Sequence, residues 1–161
     1  LIKWLSENIP DDDGKVSLVH GDYRLDNLMF SKDNQRVIAV LDWELSTLGH
    51  PYADLAYQCM GMRLPAADKQ GRSSGLLGMD PKALGIPSEQ DYVARYCERR
   101  GIDEIGNWSF YLAFSFFRLA AICQGVAKRA VDGNASSEAA GGVGAMVQPL
   151  ASMALTTIRQ Q

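Results

Sequence analysis

Apolar positions along this chain follow two rhythms. Before residue 50 they come in short bursts closed by polar or turn-forming residues. Lys15–Val19 is a strand-like run ending at His20, and Leu28-Met29-Phe30 is apolar directly after Asn27. Ser31–Gln35 is a turn cluster, and Arg36–Leu41 is a β-branched run ending at Asp42. A hairpin is expected here, with Asn27 at the start of one strand beside Asp42 at the end of the other. Beyond residue 50 the spacing becomes helical. Helices are expected over Pro51–Met62, from Ser88 to the turn before Gly101, over Trp108–Arg129, and from about Ser137 to Arg159. A leading helical segment, Leu1–Asn8, would put Ile2, Leu5 and Ile9 on one face. The fold class this predicts is α+β, mainly helical, in one domain over residues 1–161.

Local signals sharpen some boundaries. Ser88 with Glu89, Gln90 and Asp91 in the first turn, and Arg99, Arg100 and Gly101 at the end, bracket one helix well. Asn107 could cap the next. That helix is apolar on nearly every face through Cys123 but carries Arg118 mid-run, so a central core helix is expected rather than a membrane span. A buried Arg118 needs a partner; Asp54 or another acid would serve, and a substrate or phosphate contact is the alternative. Arg63–Pro87 is rich in Gly, Pro, Ser and Ala without a clear period, and reads as a solvated connector or a lid. Its Arg63, Lys69, Arg72 and Lys82 could meet an anionic substrate. Gly141-Gly142-Val143-Gly144 follows no strand, so it is not a nucleotide loop. Asn134-Ala135-Ser136 has the form of a glycosylation acceptor but also reads as a turn.

The most specific chemistry lies at the strand ends. His20-Gly21-Asp22-Tyr23-Arg24-Leu25-Asp26-Asn27 is followed by Asp42-Trp43-Glu44. These are the parts a phosphoryl-transfer site requires. One carboxylate takes a proton from the attacking hydroxyl, while an amide oxygen and a second carboxylate hold magnesium against nucleotide phosphates. Each residue alone could be a turn former or a loop cap; the whole set at strand ends is harder to read that way. Asp22 is the expected general base. Asn27 and Asp42 are the expected magnesium ligands and, through the metal, the contacts to ATP or another nucleoside triphosphate. Glu44 would reach a second metal or only fix the loop. His20 is expected to order the loop more than to do chemistry, and Asp26 has no derivable role.

The eight residues from His20 to Asn27 resemble the catalytic loop of the aminoglycoside phosphotransferase and choline kinase-like family, relatives of the protein kinases. Asp42-Trp43-Glu44 resembles the family's metal-binding acidic motif. Gly49-His50-Pro51-Tyr52-Ala53-Asp54-Leu55-Ala56 resembles the segment after it, in which Asp54 would hold the catalytic loop from behind. Gly85–Ser88, Tyr92–Tyr96 and Phe116–Arg118 look most like the phosphotransferase domains related to those fused to large acyl-CoA dehydrogenases. Protein kinases often place a lysine two residues after the base, which implies a γ-phosphate contact for Arg24; a solvated arginine is the alternative. The resemblance also implies an N-terminal lobe with a Gly-rich loop and a strand lysine, yet the catalytic loop begins at residue 20. The chain is therefore expected to correspond to the C-terminal lobe of a larger kinase-like enzyme, with the nucleotide lobe absent.

Composition removes other classes. Of 161 residues 47% are hydrophobic and net charge is −3, with no basic run, so neither nucleic acid nor an anionic membrane is an expected partner. Cys59, Cys97 and Cys123 are widely spaced and odd in number, as expected of reduced thiols in the cytoplasm. The expected partner is a small-molecule hydroxyl compound, with a hydroxylated acyl compound implied by the narrower resemblance. A metallophosphoesterase is an alternative, though it usually needs more histidines than His20 and His50. A non-catalytic kinase-like binding module is another. Alone, these residues are expected to self-associate through an uncovered face and to be inactive toward ATP.

Overall fold

The structure is a computed structural model and describes residues 1–33, 35–66, 75–134 and 140–160. The two rhythms of the sequence become two regions. In the first, α1 (Ile2–Glu7) leads into β1 (Ser17–Val19), β2 (Leu28–Phe30), β3 (Val37–Val40) and β4 (Thr47–Gly49). In the second, α2 (Tyr52–Arg63), α3 (Glu89–Arg100), α4 (Trp108–Val131), α5 (Ala140–Val143) and α6 (Val147–Arg159) form a helical body.

The strands make two antiparallel pairs. β2 pairs with β3 as the hydrophobic pattern predicts, with Leu28 opposite Val40 and an irregularity between Met29 and Phe30. β1 pairs with β4, with Leu18 opposite Leu48. The runs ending at His20 and at Asp42 therefore lie in separate sheets. β4 escaped the sequence because a run of three residues, one of them Gly49, shows no alternation.

α4 is the axis of the body and packs on α2, α5 and α6. Its apolar surface is used on more than one side. Leu5, Tyr57, Met60, Ala113, Phe116, Ala120, Cys123, Leu150 and Ala154 form one core cluster, between α1, α2, α4 and α6. Tyr52, Leu55, Ala56, Cys59, Cys97, Ile105 and Leu112 form a second, between α2, α3 and the start of α4. Ala56 and Cys59 on α2 and Ala113 and Phe116 on α4 are fully buried, and the small residues among them let the two helices approach closely.

Helix ends follow the sequence in α3 and depart from it elsewhere. Ser88 accepts the Asp91 N–H, and Gly101 closes α3 in the left-handed region, with the Ile102 N–H returning to the Cys97 carbonyl. Asn107 precedes α4 but makes no side-chain cap, since it too is left-handed, with φ 55°, and a capping residue needs extended backbone. The last helix is not continuous. Gly144–Met146 forms a 3₁₀ turn between α5 and α6, where glycines weaken the helix. A β-carbon at Gly144 would lie 2.9 Å from that of Ala127, so glycine there permits close approach to α4. α1 docks by Leu1, Trp4 and Leu5, whereas Ile2 and Ile9 are exposed, contrary to the face expected from the sequence. Ser137, Lys69, Arg72 and the Ala135-Ser136 part of the glycosylation-like motif lie outside the described residues. Arg63 makes a two-point ion pair with Glu89, at 2.6 and 2.7 Å, and Glu89 also accepts the Trp108 indole N–H.

Candidate active site

The loop between β1 and β2 is held by its backbone. Asp54, in the first turn of α2, accepts the His20 N–H through Oδ2 at 2.6 Å and the Gly21 N–H through Oδ1 at 2.9 Å. The Arg118 guanidinium, from α4, donates to the Gly21 carbonyl and lies 5.1 Å from the centre of the Tyr57 ring. Two helices of the body thus fix both sides of the His20–Gly21 segment. Asp54 takes the place behind the loop that the sequence suggested. Arg118 does not: among the described residues it meets a carbonyl and an aromatic face rather than Asp54, whose two oxygens are already engaged.

His20 is buried with both ring nitrogens committed. Nε2 donates to the Leu41 carbonyl at 2.7 Å, and Nδ1 accepts the Asp22 N–H at 3.2 Å. That pair of bonds specifies the neutral Nε2–H tautomer, because a main-chain N–H requires a free lone pair. Trp43 packs against the ring at 4.7 Å and Tyr23 at 6.0 Å. His20 is therefore a joint between the loop and β3. The Leu41 N–H in turn donates to the Asn27 carbonyl at 2.8 Å. The residue just before Asp42 is held by His20 on one side and Asn27 on the other.

These bonds bring three candidates together. Asn27 Nδ2 donates to the Asp22 carbonyl at 2.9 Å and to the Asp22 carboxylate at 3.1 Å. Since both neighbours are acceptors, the amide nitrogen must face them, which leaves Asn27 Oδ1 as the open acceptor. Asp42 follows at the end of β3, exposed, in the left-handed region with φ 64°. Aspartate tolerates this conformation better than most residues, and such local strain clusters at functional sites. Glu44 is exposed in the Trp43–Leu45 turn and shows no bond to the loop. Arg24 donates through Nε to Asp26 at 2.9 Å in a solvent-exposed ion pair. That gives Asp26 the contact the sequence did not reveal, and an exposed pair is weak enough to exchange for another anion.

The donors fit magnesium. An amide oxygen and a carboxylate are hard ligands, and magnesium is usually held by one or two carboxylates with substrate phosphates completing its shell. Among the described residues no group of three or more His, Cys, Asp or Glu side chains is placed to cage a metal without a substrate.

Tyr57 was not evident from the sequence as a site residue, although a signal existed. It lies three residues after Asp54 on α2, hence on the same helix face. Its body is buried in the core, where the Arg118 guanidinium covers one face of the ring. Burial, then the Asp22 charge, push the phenol up to about 12, so it stays protonated at physiological pH.

Gly21 is required by geometry. Its φ is +85°, and a β-carbon there would lie 2.5 Å from the Leu45 carbonyl oxygen. Gly21→Ala is expected to cost roughly 2–5 kcal/mol from the left-handed backbone plus the clash. Denaturant unfolding measures it; a loss under about 0.5 kcal/mol, the scale of an indifferent surface change, would show that the loop does not pack on this turn.

Three comparisons bear on this arrangement. The family model described as the phosphotransferase enzyme family matches residues 1–83. The chain is similar to acyl-CoA dehydrogenase family member 10 of Mus musculus, at 49% identity over 96% of this chain and 14% of that protein. It is also similar to acyl-CoA dehydrogenase family member 11 of Homo sapiens, at 45% identity over 96% of this chain and 20% of that protein. Among solved structures it resembles one assigned as an aminoglycoside phosphotransferase from Ralstonia eutropha, with TM-score 0.88 and 49% identity, over 99% of this chain and 47% of that one. The chain thus spans about half of the solved relative and no more than 20% of these two curated relatives. Its mainly helical body with small sheets is the kinase-like fold of that solved structure.

Proposed function

We propose a reaction for this chain, which belongs to the phosphotransferase enzyme family: transfer of the γ-phosphoryl group of ATP to a hydroxyl of a small molecule. The observation that carries the reading is the Asp22–Asn27 contact beside Asp42, held from behind by Asp54. Asp22 takes the acceptor's hydroxyl proton as that oxygen bonds to the γ-phosphorus. The bond from the γ-phosphorus to its bridging oxygen breaks, ADP leaves, and the proton passes from Asp22 to solvent. Asn27 Oδ1 and Asp42 would hold magnesium, which when bound offsets phosphate charge. Arg24, released from Asp26, would meet the transferring group. Glu44 would at most assist the metal.

The hydroxyl acceptor is proposed to be a hydroxylated acyl compound, a reading supported by the similarity to proteins named acyl-CoA dehydrogenases. A cytoplasmic setting is supported by Cys59, Cys97 and Cys123, all buried free thiols. A metallophosphoesterase is disfavoured because both nitrogens of His20 are spent on the loop and His50 pairs with Asp13 at 3.2 Å. The test is ATP consumption by the full-length protein across a panel of hydroxyl compounds, with the phosphorylated product identified by mass. Consumption with none of them, acyl compounds included, would remove the reading.

The proposal covers these 161 residues on their own. Leu18 is 60% exposed, Ile38 57% and Leu48 74%, so both small sheets present apolar side chains to solvent. Apolar patches and bare strand edges favour association. These residues alone are expected to self-associate and to leave ATP intact. Light scattering at several concentrations decides the first point, where a monomer at high concentration would contradict it. An ATPase assay decides the second.

A further inference from the structure

We propose that Arg118 is a positioning residue for the reaction: by holding the Gly21 carbonyl it sets the peptide unit that carries Asp22, the proposed base. This rests on the function proposed above. Glycine has the freest backbone of any residue, and here it stands directly before the base, at φ +85°. Unrestrained rotation at Gly21 would swing the Asp22 side chain. Each peptide unit is planar, so fixing the units on both sides of Gly21 fixes both of its torsions. Asp54 Oδ1 accepts the Gly21 N–H at 2.9 Å and holds the unit before it. The unit after it carries the Gly21 carbonyl and the Asp22 N–H. That N–H meets His20 Nδ1 at 3.2 Å, and the carbonyl accepts from the Arg118 guanidinium. The charged donor makes the stronger of these two bonds.

The contacts separate this role from that of a structural ion pair. Asp54 and Arg118 carry opposite charges, yet Asp54 gives one oxygen to the His20 N–H and the other to the Gly21 N–H. Among the described residues Arg118 meets the Gly21 carbonyl and the Tyr57 ring. The two charges thus act on each other through the backbone of the loop. The guanidinium is itself aimed, since it lies 5.1 Å from the centre of a ring that packs in the core with Met60, Ala113 and Phe116. It projects from the middle of α4, so the loop is tied to the axis of the helical body.

Substitution separates the donor from the stem. In the full-length protein Arg118→Met keeps a long apolar stem beside Tyr57 and removes the donor. Its kcat is expected to fall about 10- to 100-fold, the scale of a small misplacement of a reacting group, with KM for ATP and for the acceptor nearly unchanged and a native circular-dichroism spectrum. In an Asp22→Asn background the same change should lower kcat little further, because the base it positions is gone. Arg118→Ala opens a gap beside the Gly21 carbonyl, and added guanidinium, far below denaturing concentration, should restore part of its kcat. A loss of packing alone would not recover with that ion. Normal kcat in Arg118→Met would overturn the inference, as would a loss confined to KM. So would a full, additive loss on top of Asp22→Asn, or an Arg118→Ala enzyme that guanidinium leaves unchanged. Normal turnover in Asp22→Asn alone would instead remove the proposed function.

Discussion

Asp22→Asn in the full-length protein is expected to lower turnover by roughly 10²–10⁴-fold, the usual scale for a positioned general base. Fold and nucleotide affinity should be nearly unchanged. The asparagine keeps the shape of the side chain, and its amide oxygen can still accept from Asn27 Nδ2, which in the native loop lies 3.1 Å from the carboxylate. The Asp22 N–H bond to His20 is a main-chain contact and survives the change. What disappears is the ability to take a proton. Steady-state kinetics with the phosphate acceptor measures the effect, and turnover within a few-fold of the parent would remove Asp22 from the role.

Asp42 should dominate the metal-dependent part of nucleotide binding. Alanine is a poor probe of this position, because forcing it into the left-handed region costs about 1–2 kcal/mol by itself. Asparagine tolerates that backbone, and glycine adopts it freely. Asp42→Asn and Asp42→Gly are therefore expected to keep the fold while weakening magnesium-dependent binding of a non-hydrolysable ATP analogue. The loss should exceed the roughly 10–100-fold typical of removing a ligand's supporting contact. Binding without magnesium should change little. Glu44→Ala should have a much smaller effect, since Glu44 is exposed on the turn and tied to nothing in the loop. Isothermal titration with and without the metal compares them, and equal losses would mean that the main ligand is misassigned.

Much of this arrangement was legible in the sequence because it is local. The bursts ending at His20 and Asp42 fix two strand ends, and the turn cluster between them fixes a hairpin. From those alone Asn27 falls beside the end of β3. α3 was legible for the same reason: Ser88 and Gly101 act within one turn of themselves. The features that escaped depend on distant partners. Nothing near Arg118 in sequence says that it will meet the Gly21 carbonyl. Asn107 has the composition of a cap, but the chain's approach to α4 twists it into the wrong backbone region. The break before α6 follows from glycines whose purpose, at Gly144, is to let Ala127 approach. Tyr57 lay between the two cases: its spacing from Asp54 was visible, but that the shared face meets the loop was not.

The central claim is that this site moves a phosphoryl group to a hydroxyl rather than to water or nowhere. The most direct measurement follows the label in ATP carrying an isotopically marked γ-phosphoryl group, incubated with the full-length protein, magnesium and the hydroxyl panel. The account predicts magnesium-dependent label on an acceptor, absent in Asp22→Asn. Label released only as free phosphate, or label retained in ATP with every acceptor, would contradict it.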